Sequence, residues 1–342
     1  MSLPSYSFFP APLWMLTALH VLTLSLHLVA MNFMVGGTLI VLAGRFPDRW
    51  HDPTVRRVVK LLPSAMAATV SLGVAPLLFL QVVYPRQVYA AAIVSAWFWL
   101  LIVAAVIVSY YLLYLASFST GPAKRRAWYL GIALAGMVYV AFVYSSVFSM
   151  AEQPALSAEL YRGNQSGLVL NPAIGSYLFR WLHMVLGAVT VGGFFVAWLG
   201  SDNDNALNVG KAFYLWGMIA ASLAGIGWLF TLGDAIVPLM KGPAIWVLFI
   251  AIVLAFAAYP FFHKGRFVVA AGLLFCSLLG MVTTRHVVRL IHLRGSYDPA
   301  TITIIPQWSV FILFLICLVL ALLAIGYMVR LFFAGVRSAG QA

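Results

Sequence analysis

Residues 12–44 read PLWMLTALHVLTLSLHLVAMNFMVGGTLIVLAG, and this stretch decides the fold. It holds no Asp, Glu, Lys or Arg. A helix rises about 1.5 Å per residue, so roughly 20 apolar residues cross the ~30 Å hydrocarbon core of a bilayer. The stretch is longer than that, starts late for a cleaved signal and follows no basic segment, so it reads as a retained span. Eight further apolar runs lie at about 58–83, 88–117, 126–150, 176–199, 208–233, 244–262, 266–293 and 308–334. The pattern predicts an all-α polytopic transmembrane helical bundle of about nine spans, one integral membrane domain over residues 1–342.

Composition points the same way. Charged residues make up 8% of the chain and apolar ones 64%, whereas a soluble domain is about 25% charged. No repeat of 20–50 residues is visible. The formal charge of +12 would suit a nucleic acid, but the basic residues follow the membrane instead. Arg45, Arg49, Arg56, Arg57, Lys60, Lys124, Arg125, Arg126, Lys211, Lys264, Arg266, Arg330 and Arg337 fall on one side of the expected spans. Arg86, Arg162, Arg180, Lys241, Arg285, Arg289 and Arg294 fall on the other. Thirteen against seven predicts an outside N-terminus and a cytoplasmic C-terminus, with the bilayer of a bacterial cytoplasmic membrane as the surroundings and no nucleic-acid partner. Cys276 and Cys317 sit in apolar runs and are expected as core thiols. No CxxCH occurs, so the chain attaches no c-type haem by itself.

Polar residues are expensive inside a bilayer and are usually functional there. Of the seven histidines, His51 and His263 fall in inside loops and read as solvated. His20 and His27 lie on the first span, His183 on the fifth, and His286 and His292 at the outer end of the eighth. Seven residues make about two helical turns, so His20 and His27 share a face roughly 10 Å apart along the axis. Three readings are open: axial ligation of haem iron, polar packing between helices, and proton or ion transport. Gly36, Gly37, Gly187, Gly192 and Gly193 offer small-residue faces that would admit a flat macrocycle, and equally would suit plain helix packing. Arg285, Arg289 and Arg294 surround His286 and His292, and Arg180 precedes His183 by one turn. They either snorkel to the interface or, for Arg180 and Arg289 in particular, pair with haem propionates, whose carboxylates match a guanidinium fork. No acidic residue lies in mid-span; Glu152 and Asp234 sit just past the fourth and sixth. A carboxylate relay to a buried oxygen site is therefore not evident.

The segment Ser166–Leu199, SGLVLNPAIGSYLFRWLHMVLGAVTVGGFFVAWL, resembles subunit I of the cytochrome bd quinol oxidases, with His183 on that family's haem-b histidine. The spacing of nine from His27 to Gly36 is similar to the family's first-helix ligand, and Leu232–Asp234 resembles the end of its sixth helix. His286-Val-Val-Arg289 stands where the family has Glu-x-Gly-Arg, so His286 would replace a glutamate ligand. The chain departs from the family in three places. Only residues 234–243 stand where the family has its long quinol loop. The third span, Val88–Ser117, lacks the family's glutamates, and the seventh contains no methionine, Met240 lying just before it.

The resemblance implies a divergent cytochrome b subunit with two b haems, or three. Its iron ligands would come from His20, His27, His183 and His286. His27 would pair with His286, and His183 with His20, or else with His292 or a methionine. Bis-histidine haems are low-spin and closed to dioxygen, which suits electron transfer. The expected role is to pass electrons between a membrane quinol and a periplasmic c-type cytochrome or another redox subunit. A bd-type terminal oxidase and a cofactor-free transporter using the same histidines are the alternatives. Arg289, Asp234 and outer aromatics are the candidates for a quinone site.

Overall fold

The computed structural model describes residues 8–339; the side chain of Arg337, counted above with the inside charges, lies outside what is described. In chain order the helices are α1 (Leu13–Ala43), α2 (Pro53–Val83), α3 (Pro85–Val94), α4 (Ala96–Phe118), α5 (Ala123–Ala151), α6 (Pro154–Gly163), α7 (Ile174–Leu199), α8 (Asp204–Phe230), α9 (Ile236–Lys241), α10 (Ala244–His263), α11 (Phe267–His292) and α12 (Trp308–Ala339). Among the described residues, nine of these are long and apolar enough to cross a membrane: all but α3, α6 and α9. A short parallel pairing joins β1 (Phe8–Phe9) to β2 (Thr303–Ile304). The fold is thus the expected all-α bundle.

Two boundaries differ from expectation for visible reasons. α2 begins before residue 58 because Asp52 caps it, its carboxylate accepting from the N–H groups of Thr54 and Val55, with Pro53 at the first helical position. The third run is broken at Ser95 into α3 and α4. The Ser95 hydroxyl donates to the Val169 carbonyl at 2.6 Å, and the Trp97 N–H donates to the Gly167 carbonyl at 3.1 Å. The chain after α6 thus takes up polar groups at the break. Both cysteines also differ: Cys276 and Cys317 are exposed on the outside of the bundle, where an apolar thiol meets lipid as readily as protein.

The helices form two groups, α1–α2–α4–α5 and α7–α8–α10–α11, joined where α1 packs on α7 and α11 and where α5 packs on α7. α12 runs along the outside with most of its described side chains exposed. The joint between the groups depends on small residues. A Cβ on Gly36 would lie 1.8 Å from the Ala188 carbonyl oxygen, and one on Gly192 would lie 2.6 Å from the Gly36 Cα. The two backbones touch, as helices do in membranes where small residues face each other. Clasping this joint on the N-terminal side of α2, Arg57 donates to both carboxylate oxygens of Asp202 at 2.7 and 2.8 Å and to the Leu199 carbonyl at 2.9 Å.

Gly36→Leu must force α1 from α7 and is expected to cost more than the ~1–3 kcal/mol of ordinary overpacking. Gly131→Ala, where an added Cβ meets nothing within 4 Å, should be neutral. Thermal unfolding of the two variants in detergent checks this; equal midpoints would refute the close approach.

Candidate cofactor site

Three of the intramembrane histidines are prepared in the same way. Nδ1 of His20 lies 3.2 Å from the Pro76 carbonyl oxygen, Nδ1 of His27 lies 2.9 Å from that of Thr69, and Nδ1 of His183 lies 2.8 Å from that of Ala221. A carbonyl only accepts, so each Nδ1 carries the proton and donates it. Each Nε2 then keeps a free lone pair, the arrangement usual for a metal-ligating imidazole. Local sequence makes room for these bonds. A Cβ on Gly73 would stand 2.9 Å from the His27 ring, and one on Gly225 would stand 3.1 Å from that of His183. Each ring therefore occupies space that a side chain at that glycine would fill.

His20 on α1 faces His286 on α11, with ring centroids 6.5 Å apart and planes tilted by 52°. Two imidazoles bound through nitrogen to one ion, each at about 2 Å, put their centroids roughly 6 Å apart. The pair is thus spaced as two axial ligands would be. Two donors are too few for a bare ion, and among the described residues no group of three or more His, Cys, Asp or Glu could hold one. Two are enough for a macrocycle that brings its own four nitrogens. The Nδ1 of His286 is buried without a partner. The void beside the pair, bordered by Leu16, Thr17, Phe79, Leu80, Val83 and Tyr84, measures about 10 Å³, the size of one water. A macrocycle enters only if these side chains swing aside.

The rings are placed differently from the expected pairing. His286 faces His20, and His27 lies two turns deeper on α1, its Nδ1 donating to the Thr69 carbonyl of α2. His292 is turned to a carboxylate: its Nδ1 lies 3.4 Å from Oε2 of Glu152.

Glu152 is the centre of the outer end of the site and was not singled out from sequence. It lies just past α5 and is 5% exposed. Arg285 donates to its Oε1 directly, Arg289 Nε lies 3.6 Å away and Arg180 Nη1 4.0 Å away. Arg285 also rests over the Trp228 ring, and Arg289 over Tyr84 at 5.4 Å. Tyr84 in turn stands 6.5 Å from His286. Three guanidiniums round one carboxylate leave an excess of positive charge in a buried place. Arg180 Nη1, Arg285 Nε and Nη1, and Arg289 Nη1 have no acceptor there. Orphaned buried donors of this kind call for further anionic oxygens. Arg180 and Arg289, expected beside different histidines, come together here on one carboxylate, with Arg285 as a third member. The sequence signal for this cluster was the placing of these arginines beside His183, His286 and His292; nothing marked Glu152 as their shared partner.

These groups set the charge state of Glu152. Burial alone would push its carboxyl up, but Arg285, His292, Arg180 and Arg289 outweigh it and hold the carboxyl well below the usual carboxylate range. Burial pushes the Tyr84 phenol up to about 12, so it stays neutral. A depressed carboxyl stabilises the fold above its unfolded value of about 4.3 and loses that contribution only as pH falls through the lower folded value. Between pH 8 and 5 no protonated-carboxyl infrared band should vanish on Glu152→Gln; a band lost on that substitution would refute the ionised state.

The fold and site define a class, an integral membrane helical bundle with paired intramembrane imidazoles. Compared with known proteins, its sequence matches no family model and no curated protein. Its fold is similar to "The structure of bd oxidase from Geobacillus thermodenitrificans", with a TM-score of 0.70, 15% identity, and coverage of 94% of this chain and 98% of that one. The chain therefore has a bd-oxidase-like fold, and nine helices among the described residues are long and apolar enough to cross a membrane.

Proposed function

We propose that the chain is a divergent relative of bd oxidase subunit I that holds two b haems and carries electrons between a membrane quinol and a periplasmic redox partner, such as a c-type cytochrome. The observation that carries this reading is the His20–His286 pair, spaced as axial ligands and flanked by buried guanidinium donors that lack acceptors. When bound, a b haem supplies one-electron transfer. His20 and His286 would ligate its iron, the Pro76 carbonyl would hold His20 in the ligating tautomer, and Arg180, Arg285 and Arg289 would neutralise the two propionates. Three guanidiniums against Glu152 and two propionates leave no net charge.

His27 and His183 would hold the second haem. α1 and α7 run in the same direction and touch where Gly36 meets Ala188 and Gly192. Counting back from that contact puts His27 level with the turn that carries His183. Each imidazole has its Nδ1 committed to an outer neighbour, α2 or α8, so the free nitrogens are turned from those helices. The bd-oxidase-like fold favours a second reading, a terminal oxidase subunit that reduces oxygen. The four histidines weigh against it, because two six-coordinate haems leave no open iron position.

The purified protein should give a low-spin b-type reduced-minus-oxidised spectrum that carbon monoxide does not alter. High-spin, carbon-monoxide-sensitive bands would favour the oxidase, and a colourless intact preparation would point to a cofactor-free transporter. His20→Ala and His286→Ala should each remove the same single haem equivalent. His27→Ala and His183→Ala should remove the other, and the His27/His183 double variant should remove no more than either alone. Additive losses in that double variant would show that these two histidines serve different haems.

A further inference from the structure

We propose that Glu152 is a positioning residue that sets the reduction potential of the centre held by His20 and His286, and this rests on the haem reading above. Reduction there adds one electron, supplied by the quinol, and lowers the charge of the centre by one, with no bond made or broken. Positive charge nearby favours that step and negative charge opposes it. The route from Glu152 to the histidines is short and dry. Glu152 meets Arg289 at 3.6 Å, Arg289 lies over the Tyr84 ring at 5.4 Å, and Tyr84 stands 6.5 Å from His286. The carboxylate is 5% exposed, and the facing arginine side chains are no more than 17% exposed. Water therefore screens these charges poorly, and salt little more. At an effective dielectric of about 20, a unit charge roughly 10 Å from the centre changes an equilibrium constant by about tenfold. The choice of a carboxylate is informative. A cluster meant only to bind two propionates would do so more tightly without an internal anion. Glu152 forgoes part of that attraction and holds three guanidiniums at a fixed spacing and a reduced net charge.

Optical redox titration of the purified protein tests this. Glu152→Gln should shift the outer centre in favour of the reduced form by about tenfold, equivalent to about 59 mV for one electron. The centre assigned to His27 and His183 should stay in place as an internal reference. Glu152→Asp should return the potential toward that of the parent. Arg285→Gln should shift it in the opposite direction, and this holds as a test even if Glu152→Gln fails to assemble. Full haem content with an unmoved outer potential in the assembled variants would overturn the inference and leave the haem reading standing. Both centres moving alike would overturn it too, since that marks a general loss of structure. A colourless parent protein would overturn the haem reading itself.

Discussion

Charge in a medium that solvates it poorly is the constraint on which this structure turns. Moving an ion out of water costs several kcal/mol even after the surroundings relax, so a buried charge persists only where an opposite one meets it. The chain has eight acidic residues in all and commits one of them, Glu152, to three arginines from two helices. α7 brings Arg180 and α11 brings Arg285 and Arg289, so the carboxylate at the end of α5 ties together helices from both halves of the bundle. The positions of α7 and α11 at their outer ends follow from this meeting as much as from apolar packing.

A second consequence concerns the histidines. Imidazole is tolerated in a bilayer when it is neutral and when its N–H has an acceptor. Backbone carbonyls within a helix already accept one hydrogen bond, but each has a second lone pair. Pro76, Thr69 and Ala221 use theirs on His20, His27 and His183. Pro76 also interrupts α2's own ladder, because a proline has no N–H to offer. The same bonds that make these rings tolerable in the membrane also leave the lone pair of each Nε2 free.

The bundle was legible in the sequence because long uncharged runs such as 12–44 admit one structure in lipid. The end of the bundle near which the histidines of each span lie followed from counting residues along each span. The lateral arrangement was not legible. Whether His286 meets His20 or His27 depends on how α11 is rotated and shifted against α1, and no periodicity within one helix records that. The break at Ser95 was hidden for a related reason: the run around it is apolar throughout, and the groups that end α3 come from residues 167–169, some 70 positions later. Glu152 was seen as a loop residue because its importance comes from arginines 28 and 133 positions away. Cys276 and Cys317 illustrate the opposite error, since an apolar run in a membrane protein has no default inside.

The pairing of β1 with β2 bears on how the molecule is made. Phe8–Phe9 lies beside Thr303–Ile304, and the amides of Ile305 and Gln307 donate to the carbonyls of Phe9 and Pro10. Phe9 and Ala11 are almost wholly enclosed. The partner strand is synthesised only after the eight long apolar helices that precede it in the chain. Until then the segment ahead of α1 has nothing to latch onto, and the rim of the bundle stands open. Closure of that rim is therefore a late event in biogenesis, set by the order in which the chain is made.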